Sequence, residues 1–259
     1  MLNKEQQTQV IDLIYKTKEL IFREKENAKV TEKGAADFVT NVDVAVQDFL
    51  TKELRLLFPE IEMIAEEKEN LNLSEDKKYW ILDPIDGTTN LIYDYQMSAV
   101  SLGLYEQGEV TFGVVYNPFT EEMFTAAKGE GAYLNGKQIH TSEDVELKNS
   151  IVSYGSCPYD KSHAEKLFPM FERLFVNCAD FRRTGSAALD FCYVACGRQH
   201  GFFELNLKPW DYAAGSMILE EAGGKASRWN GESLPYLANS DTFACTARLE
   251  KQFRELVYL

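Results

Sequence analysis

Trp80-Ile81-Leu82-Asp83-Pro84-Ile85-Asp86-Gly87-Thr88-Thr89-Asn90 joins an apolar, β-prone run to two aspartates three residues apart and then to a glycine. Tyr79 to Leu82 reads as a buried strand, which puts Asp83 at a strand end. Pro84 has a fixed φ and no N–H and pushes Asp83 toward extended geometry. The chain is therefore expected to turn there, with both carboxylates pointing into one space. Gly87 lets a ligand approach bare backbone, and Thr88, Thr89 and Asn90 can open a helix whose free N–H groups favour an anion. Carboxylates beside an anion cradle call for cations between them. Hard oxygen donors with no His or Cys nearby point to Mg²⁺. Taken alone, the same residues also read as an ordinary Asp-Pro turn closed by Gly and Thr.

Upstream, Glu5 to Glu26 carries Val10, Leu13, Ile14, Thr17, Leu20 and Ile21 at helical spacing, the stripe of a surface helix. A second helix is expected to follow Asn41 to Asp43 and to end before Pro59, followed by a strand Ile61–Ala65 that runs into Glu66 and Glu67. Downstream, Ser98–Tyr105, Val110–Tyr116 and Glu122–Ala126 read as consecutive antiparallel strands, and Asn135-Gly136 as a hairpin turn. From Ile151 the pattern alternates: strand Ile151–Tyr154, helix His163–Phe175, strand Phe181–Arg183, helix Gly185–Cys196, strand Phe202–Leu205, helix Trp210–Ala222. The expectation is one domain over 1–259, with an N-terminal half of about 1–145 and a C-terminal half of about 146–259.

Composition narrows the function. The chain has 259 residues, 45% of them apolar, enough for a full core. It contains no run of eighteen apolar residues and its start lacks a signal-peptide layout, so a cytoplasmic protein is expected. Five cysteines without CxxC spacing suit free thiols. A net charge of −14 disfavours nucleic acid and anionic membranes as partners, and also disfavours a phosphorylated substrate unless bound cations invert the local sign.

Three further acidic features have plain structural readings when taken singly. Asp43 would be a helix cap, Glu66-Glu67 solvated charge, and Asp211, after Pro209-Trp210, a first-turn acid suited to a helix dipole. Their order is more telling. Asp37-x-Val39-Thr40-x-x-Asp43, then Glu66-Glu67, then Trp80 to Asn90, then Trp210-Asp211-x-Ala213-Ala214-Gly215 with Glu221-Ala222-Gly223-Gly224, resembles the inositol monophosphatase family of lithium-sensitive, Mg²⁺-dependent phosphatases. The resemblance spans roughly Lys33 to Gly224.

It implies a layered α/β fold, an αβαβα sandwich, usually homodimeric. It also implies that Glu66, Asp83 and the Ile85 carbonyl hold a first Mg²⁺, that Asp83, Asp86 and Asp211 hold a second, and that Glu66 helps hold a third through waters. Thr88 with Asp43 would position and deprotonate water, and the amides of Gly87, Thr88 and Thr89 would cradle phosphate. Glu204 would accept from substrate hydroxyls, beside backbone N–H groups of Ser186 and Ala187 and the carboxylate of Asp211. Lys33 lies near a mobile-loop lysine of the family, one residue closer to Asp37 than expected.

The resemblance thus implies a phosphomonoesterase for a small phosphorylated polyol, inositol monophosphate foremost. Fructose 1,6-bisphosphate or NADP(H) are alternatives on the same scaffold, and a regulatory protein-binding role is the alternative of another class. Cys192, Cys196 and His200 have the spacing of a zinc trio but no fourth ligand in view, and read better as buried helix-face thiols.

Overall fold

The computed structural model describes residues 1–34, 37–143 and 145–257; the side chain of Asp37, which opens the first acidic motif, lies outside the described set. Helix α1 (Lys4–Lys25) is capped by Asn3, whose side chain accepts the Gln6 N–H, and buries the expected stripe through Val10, Leu13, Ile14, Thr17 and Ile21. A hairpin of β1 (Val30–Gly34) and β2 (Asp37–Thr40) follows, absent from the sequence reading because its residues do not alternate in polarity. Helix α2 (Asn41–Leu57) starts about one turn earlier than expected: Thr40, not Asp43, is the cap, and Asp43 is the third helical residue. Then come β3 (Glu62–Ala65), β4 (Tyr79–Asp86), α3 (Thr88–Ile92), β5 (Ala99–Glu106), β6 (Glu109–Asn117), β7 (Glu122–Ala127), β8 (Ala132–Leu134) and β9 (Lys137–Ile139). These seven strands form one sheet in sequence order, parallel between β3 and β4 and antiparallel thereafter, with Asn135 and Gly136 turning β8 into β9.

The second half contains β10 (Ile151–Tyr154), α4 (Ala164–Asn177), β11 (Asp180–Arg182), α5 (Ala187–Ala195), β12 (Gly201–Leu207), α6 (Pro209–Glu221), β13 (Gly224–Arg228), β14 (Ser240–Thr246) and α7 (Glu250–Val257). Its five-stranded sheet has the order β11-β10-β12-β14-β13, parallel around β10 and antiparallel around β14. The strands β13 and β14 and the helix α7 lie beyond the last expected element, where short runs broken by Gly, Asn and Ser give weak signals.

Five layers result, as the resemblance implied. Helices α1 and α2 cover the outer face of the seven-stranded sheet, α5 and α6 fill the space between the sheets, and α4 and α7 cover the outer face of the five-stranded sheet. Because β4 and β5 are covered on both faces, every residue in them is buried, which explains their unbroken apolar runs. Period-two alternation sends Trp80 and Leu82 toward α1 and α2, and Tyr79 and Ile81 toward α5 and α6.

Helix α6 is apolar on all sides, as a helix buried between two sheets must be. It lies so close to β6 and α5 that a Cβ on Gly113 would stand 2.7 Å from the Ala214 carbonyl oxygen, and one on Gly215 would stand 2.6 Å from the Phe191 Cβ. The small residues of Trp210-Asp211-x-Ala213-Ala214-Gly215 thus let α6 press against a sheet on one side and α5 on the other.

Candidate active site

The site lies where β4 ends, between the N-termini of α3, α5 and α6. Contrary to the expected turn at Pro84, β4 runs through to Asp86, and the ladder to β5 breaks register between Asp83 and Asp86. The one extra residue of that irregularity re-aims the side chains. The turn comes at Gly87, with φ +90°, where a Cβ would stand 2.9 Å from the Met97 carbonyl oxygen. Asp83 does not face solvent as a strand-end acid would; it is 2% exposed.

A cavity of about 320 Å³ opens here, walled by Glu66, Asp86, Gly87, Thr88, Thr89, Ser186, Ala187, Glu204 and Asp211 among others. Of the residues given a metal, catalytic or substrate role in sequence, these nine reach it. Asp43 and Asp83 are buried behind its wall. The Ile85 side chain belongs to the outer core under α1 and α2, while its carbonyl accepts the Thr88 hydroxyl at 3.1 Å.

Each carboxylate is oriented by the chain. Asp43 Oδ2 accepts the Thr40 N–H at 2.9 Å and the Thr40 hydroxyl at 2.5 Å, and its Oδ1 accepts the Thr88 hydroxyl at 2.8 Å. Asp83 accepts the Ile85 N–H at 3.0 Å. Asp86 Oδ2 accepts the Ser186 hydroxyl at 2.6 Å and the Ala188 N–H at 2.7 Å, which ties the end of β4 to the start of α5. Asp211, the third residue of α6, accepts the Lys208 N–H at 2.7 Å. Glu66 pairs with the Lys33 ammonium at 3.2 Å, and the same ammonium reaches Glu67 at 2.5 Å. Glu67 is thus paired, not solvated.

Ser186 and Ala187 are placed as expected but used differently. The Ser186 N–H donates to the Thr184 hydroxyl at 3.2 Å, and the Ala187 amide joins that of Ala188 on Asp86. Glu204 lies within β12 and not at its end, with its carboxylate against Gly155, where a Cβ would stand 1.7 Å from the Glu204 Cδ. Only glycine leaves room for it.

Crowding acids in a buried place makes their ionisation unfavourable. Asp83 is held well above the usual carboxylate range by burial, reinforced by Glu66, Asp86, Asp211 and Asp43. Asp211 is raised likewise by burial and then by Asp86. Burial pushes Asp86 up to about 6 against the opposing bonds from Ser186, Ala188 and Ala187. Burial also takes Glu66 up to about 7 against Lys33, and Glu204 up to about 7 against Arg183. Asp43 is raised by burial in spite of its bonds to Thr40 and Thr88. Burial alone would lower the Lys33 ammonium, but Glu66 and Glu67 raise it above its ordinary value.

Among the described residues no three His, Cys, Asp or Glu side chains are already closed around one point. The donors nonetheless suit a hard divalent cation. They are carboxylates and a carbonyl, each with lone pairs to spare; the cavity wall contains no His or Cys, and their mutual repulsion needs positive charge.

The zinc trio does not assemble: Cys192 is fully buried, and His200 Nδ1 accepts the Ile151 N–H at 2.9 Å. Two residues that the sequence reading named only as parts of motifs also serve the site. Thr40 stands three before Asp43, the spacing of a capping box. Asn90 Nδ2 donates to the carbonyls of Met97 at 2.7 Å and Thr184 at 2.9 Å, stapling α3 to the second half.

The inositol monophosphatase family model matches residues 3–258. The chain belongs to the inositol monophosphatase family. Within its inositol monophosphatase fold, the chain superposes on the Thermotoga maritima IMPase with a TM-score of 0.85 at 32% identity, covering 95% of this chain and 94% of that one. An IMPase/NADP phosphatase complexed with Mg²⁺ and phosphate gives a TM-score of 0.85 at 25% identity, covering 94% and 91% of the two chains. The Nus factor SuhB of Escherichia coli (strain K12) is 42% identical over 203 residues, which is 78% of this chain and 76% of that one. Among the described residues no helix is long and apolar enough to cross a membrane.

Proposed function

We propose that this protein is a Mg²⁺-dependent phosphomonoesterase that transfers the phosphoryl group of a small phosphorylated polyol, inositol monophosphate foremost, to water. The observation that carries the reading is Asp83, buried at the end of β4 with four acids around it, Glu66, Asp86, Asp211 and Asp43, and beside the hydrogen-bonded pair of Thr88 and Asp43.

Glu66, Asp83 and the Ile85 carbonyl would hold one Mg²⁺ and Asp83, Asp86 and Asp211 another, with Glu66 contributing through water to a looser third. Bound there, Mg²⁺ would supply an acidified water and charge compensation for the leaving oxygen. The chain's own groups do the rest. Thr88 donates its proton to Asp43, so its oxygen can accept from the attacking water, and Asp43, raised by burial, is available to take a proton. The amides of Gly87, Thr88 and Thr89 sit in the first turn of α3 or just before it, where backbone N–H groups lack helical partners, and would receive phosphate oxygens. Glu204 and Asp211 face the cavity and would accept from substrate hydroxyls.

Phosphate release measured on inositol 1-phosphate, fructose 1,6-bisphosphate and NADP⁺, with and without Mg²⁺, tests the reading. Turnover of inositol 1-phosphate only with Mg²⁺ is expected, and no turnover of any of the three overturns it. Glu204→Gln is expected to change the preference among them by ~10-fold while leaving Mg²⁺ dependence alone.

A second reading is favoured by the relatives named Nus factor SuhB: a regulatory role through a protein partner, alongside or in place of catalysis. A homodimer is the expected assembly, and sedimentation velocity at micromolar concentration tests it.

A further inference from the structure

A carboxylate that the proposed reaction does not use lies at the cavity wall. Asp190, in the first turn of α5, is 2% exposed. Its Oδ2 accepts the Thr184 hydroxyl at 2.7 Å and its Oδ1 accepts Gln199 Nε2 at 3.4 Å, while Gln199 Oε1 takes the Ser153 hydroxyl at 2.5 Å. One buried acid thus links the end of β10, the connection into α5 and the chain just beyond α5.

Thr184 is the hinge of this arrangement. Its hydroxyl proton has two acceptors within reach, the Asp190 carboxyl oxygen at 2.7 Å and the Ser186 carbonyl at 3.3 Å, and the shorter contact wins. With the proton on that side, the Thr184 oxygen is turned to receive the Ser186 N–H at 3.2 Å. The Thr184 carbonyl meanwhile holds Asn90 at 2.9 Å. The turn fixed in this way delivers the Ser186 hydroxyl and the Ala188 N–H to Asp86. Gly185 within it has φ +84° and packs so closely on Asn90 that a Cβ would stand 3.0 Å from its Nδ2, which leaves the turn little room to adjust.

We propose that Asp190 is a positioning residue that, through Thr184, holds the Gly185–Ala188 turn in register and so orients Asp86 for the cation it is expected to bind. The inference rests on the phosphatase reading only in taking Asp86 as a Mg²⁺ ligand.

The test compares wild type, Asp190→Asn, Thr184→Val, Thr184→Ser and the Asp190→Asn/Thr184→Val pair by calorimetric Mg²⁺ titration and by phosphate release. Replacing the Asp190 carboxyl by an amide or removing the hydroxyl is expected to weaken Mg²⁺ binding by ~10-fold, with an equal shift in the Mg²⁺ concentration for half-maximal activity. Thr184→Ser, which keeps the hydroxyl, is expected to stay within ~2-fold of wild type, and the double variant to be no worse than the poorer single one. If Asp190→Asn does not fold, Thr184→Val against Thr184→Ser makes the same comparison. Mg²⁺ affinity within ~2-fold of wild type in Thr184→Val, whatever the change in melting temperature, overturns the proposal. A wild-type protein that binds Mg²⁺ without turnover sinks the phosphatase reading and leaves calorimetry to decide this one; a wild-type protein that binds no Mg²⁺ overturns both.

Discussion

Thr88 has one hydroxyl proton and two acceptors, Asp43 Oδ1 at 2.8 Å and the Ile85 carbonyl at 3.1 Å. The carboxylate is the stronger partner, so the proton sits toward Asp43 and the oxygen's lone pairs remain for a water. Thr88→Ala is expected to lower kcat by ~10²- to 10⁴-fold with little change in KM, read from steady-state phosphate release. A rise in KM with kcat unchanged would show that the hydroxyl only binds substrate. Asp83 is the residue on which the acid cluster converges, and its replacement by Asn keeps volume but removes the charge. Turnover in Asp83→Asn is expected to fall by ~10³-fold or more, as for the loss of a metal-held nucleophile. A kcat near wild type would remove Asp83 from the proposed ligand set.

Helix α6 carries Asp211 to the site, and its position depends on what is missing from the strands beneath it. Gly113 in β6 lies under the Ala214 carbonyl, and neither backbone can retreat, since α5 presses on the far side of α6 through Gly215. Gly113→Ala is therefore an overpacking change, expected to cost about 1–3 kcal/mol in a urea unfolding experiment. It is also expected to weaken catalysis, because Asp211 moves with its helix. Full stability with an unchanged kcat would mean that the layers separate more easily than their close contact suggests. The same packing explains why Trp210-Asp211-x-Ala213-Ala214-Gly215 carries small residues where a surface helix would carry none in particular.

For the whole protein, the acid cluster makes stability depend on pH and on divalent cation. Asp86 near 6, Glu66 and Glu204 near 7 and Asp190 near 8 all lie above their ordinary values. Between the ordinary carboxylate range and those raised values, the folded state holds protons that the unfolded chain has lost, so stability falls as pH rises through that window. Without Mg²⁺, the melting temperature at pH 8 is expected to lie several degrees below that at pH 5.5. Added Mg²⁺ is expected to restore roughly 5 °C or more at pH 8 and much less at pH 5.5, where protons already neutralise the cluster. Differential scanning fluorimetry across pH with EDTA or Mg²⁺ checks this; a Mg²⁺ effect that is equal at both pH values would detach the cation from these acids.

The order of the acidic motifs, the stripe of α1, the runs of β5 to β7 and the Asn135-Gly136 hairpin were legible because they are local. Periodicity, turn chemistry and motif spacing all belong to neighbours in the chain, and with them came the family, the layered fold and about half of the residues of the cavity wall. Local rules also misplaced some details. Pro84 suggested a turn where β4 in fact continues, because pairing with β5 overrides a residue's own preference and absorbs Pro84 in a register break. Strands β13 and β14 lacked a pattern of their own and form because β12 and α6 offer them a buried edge. The use of particular atoms was decided only in three dimensions. Asp86 accepts from Ser186, one hundred residues later, and Asn90 reaches Thr184, ninety-four residues away. Which acids share a charge problem, and which amides are already committed to solving it, depends on distances of a few ångströms between segments remote in the chain, and those distances exist only once the layers have packed.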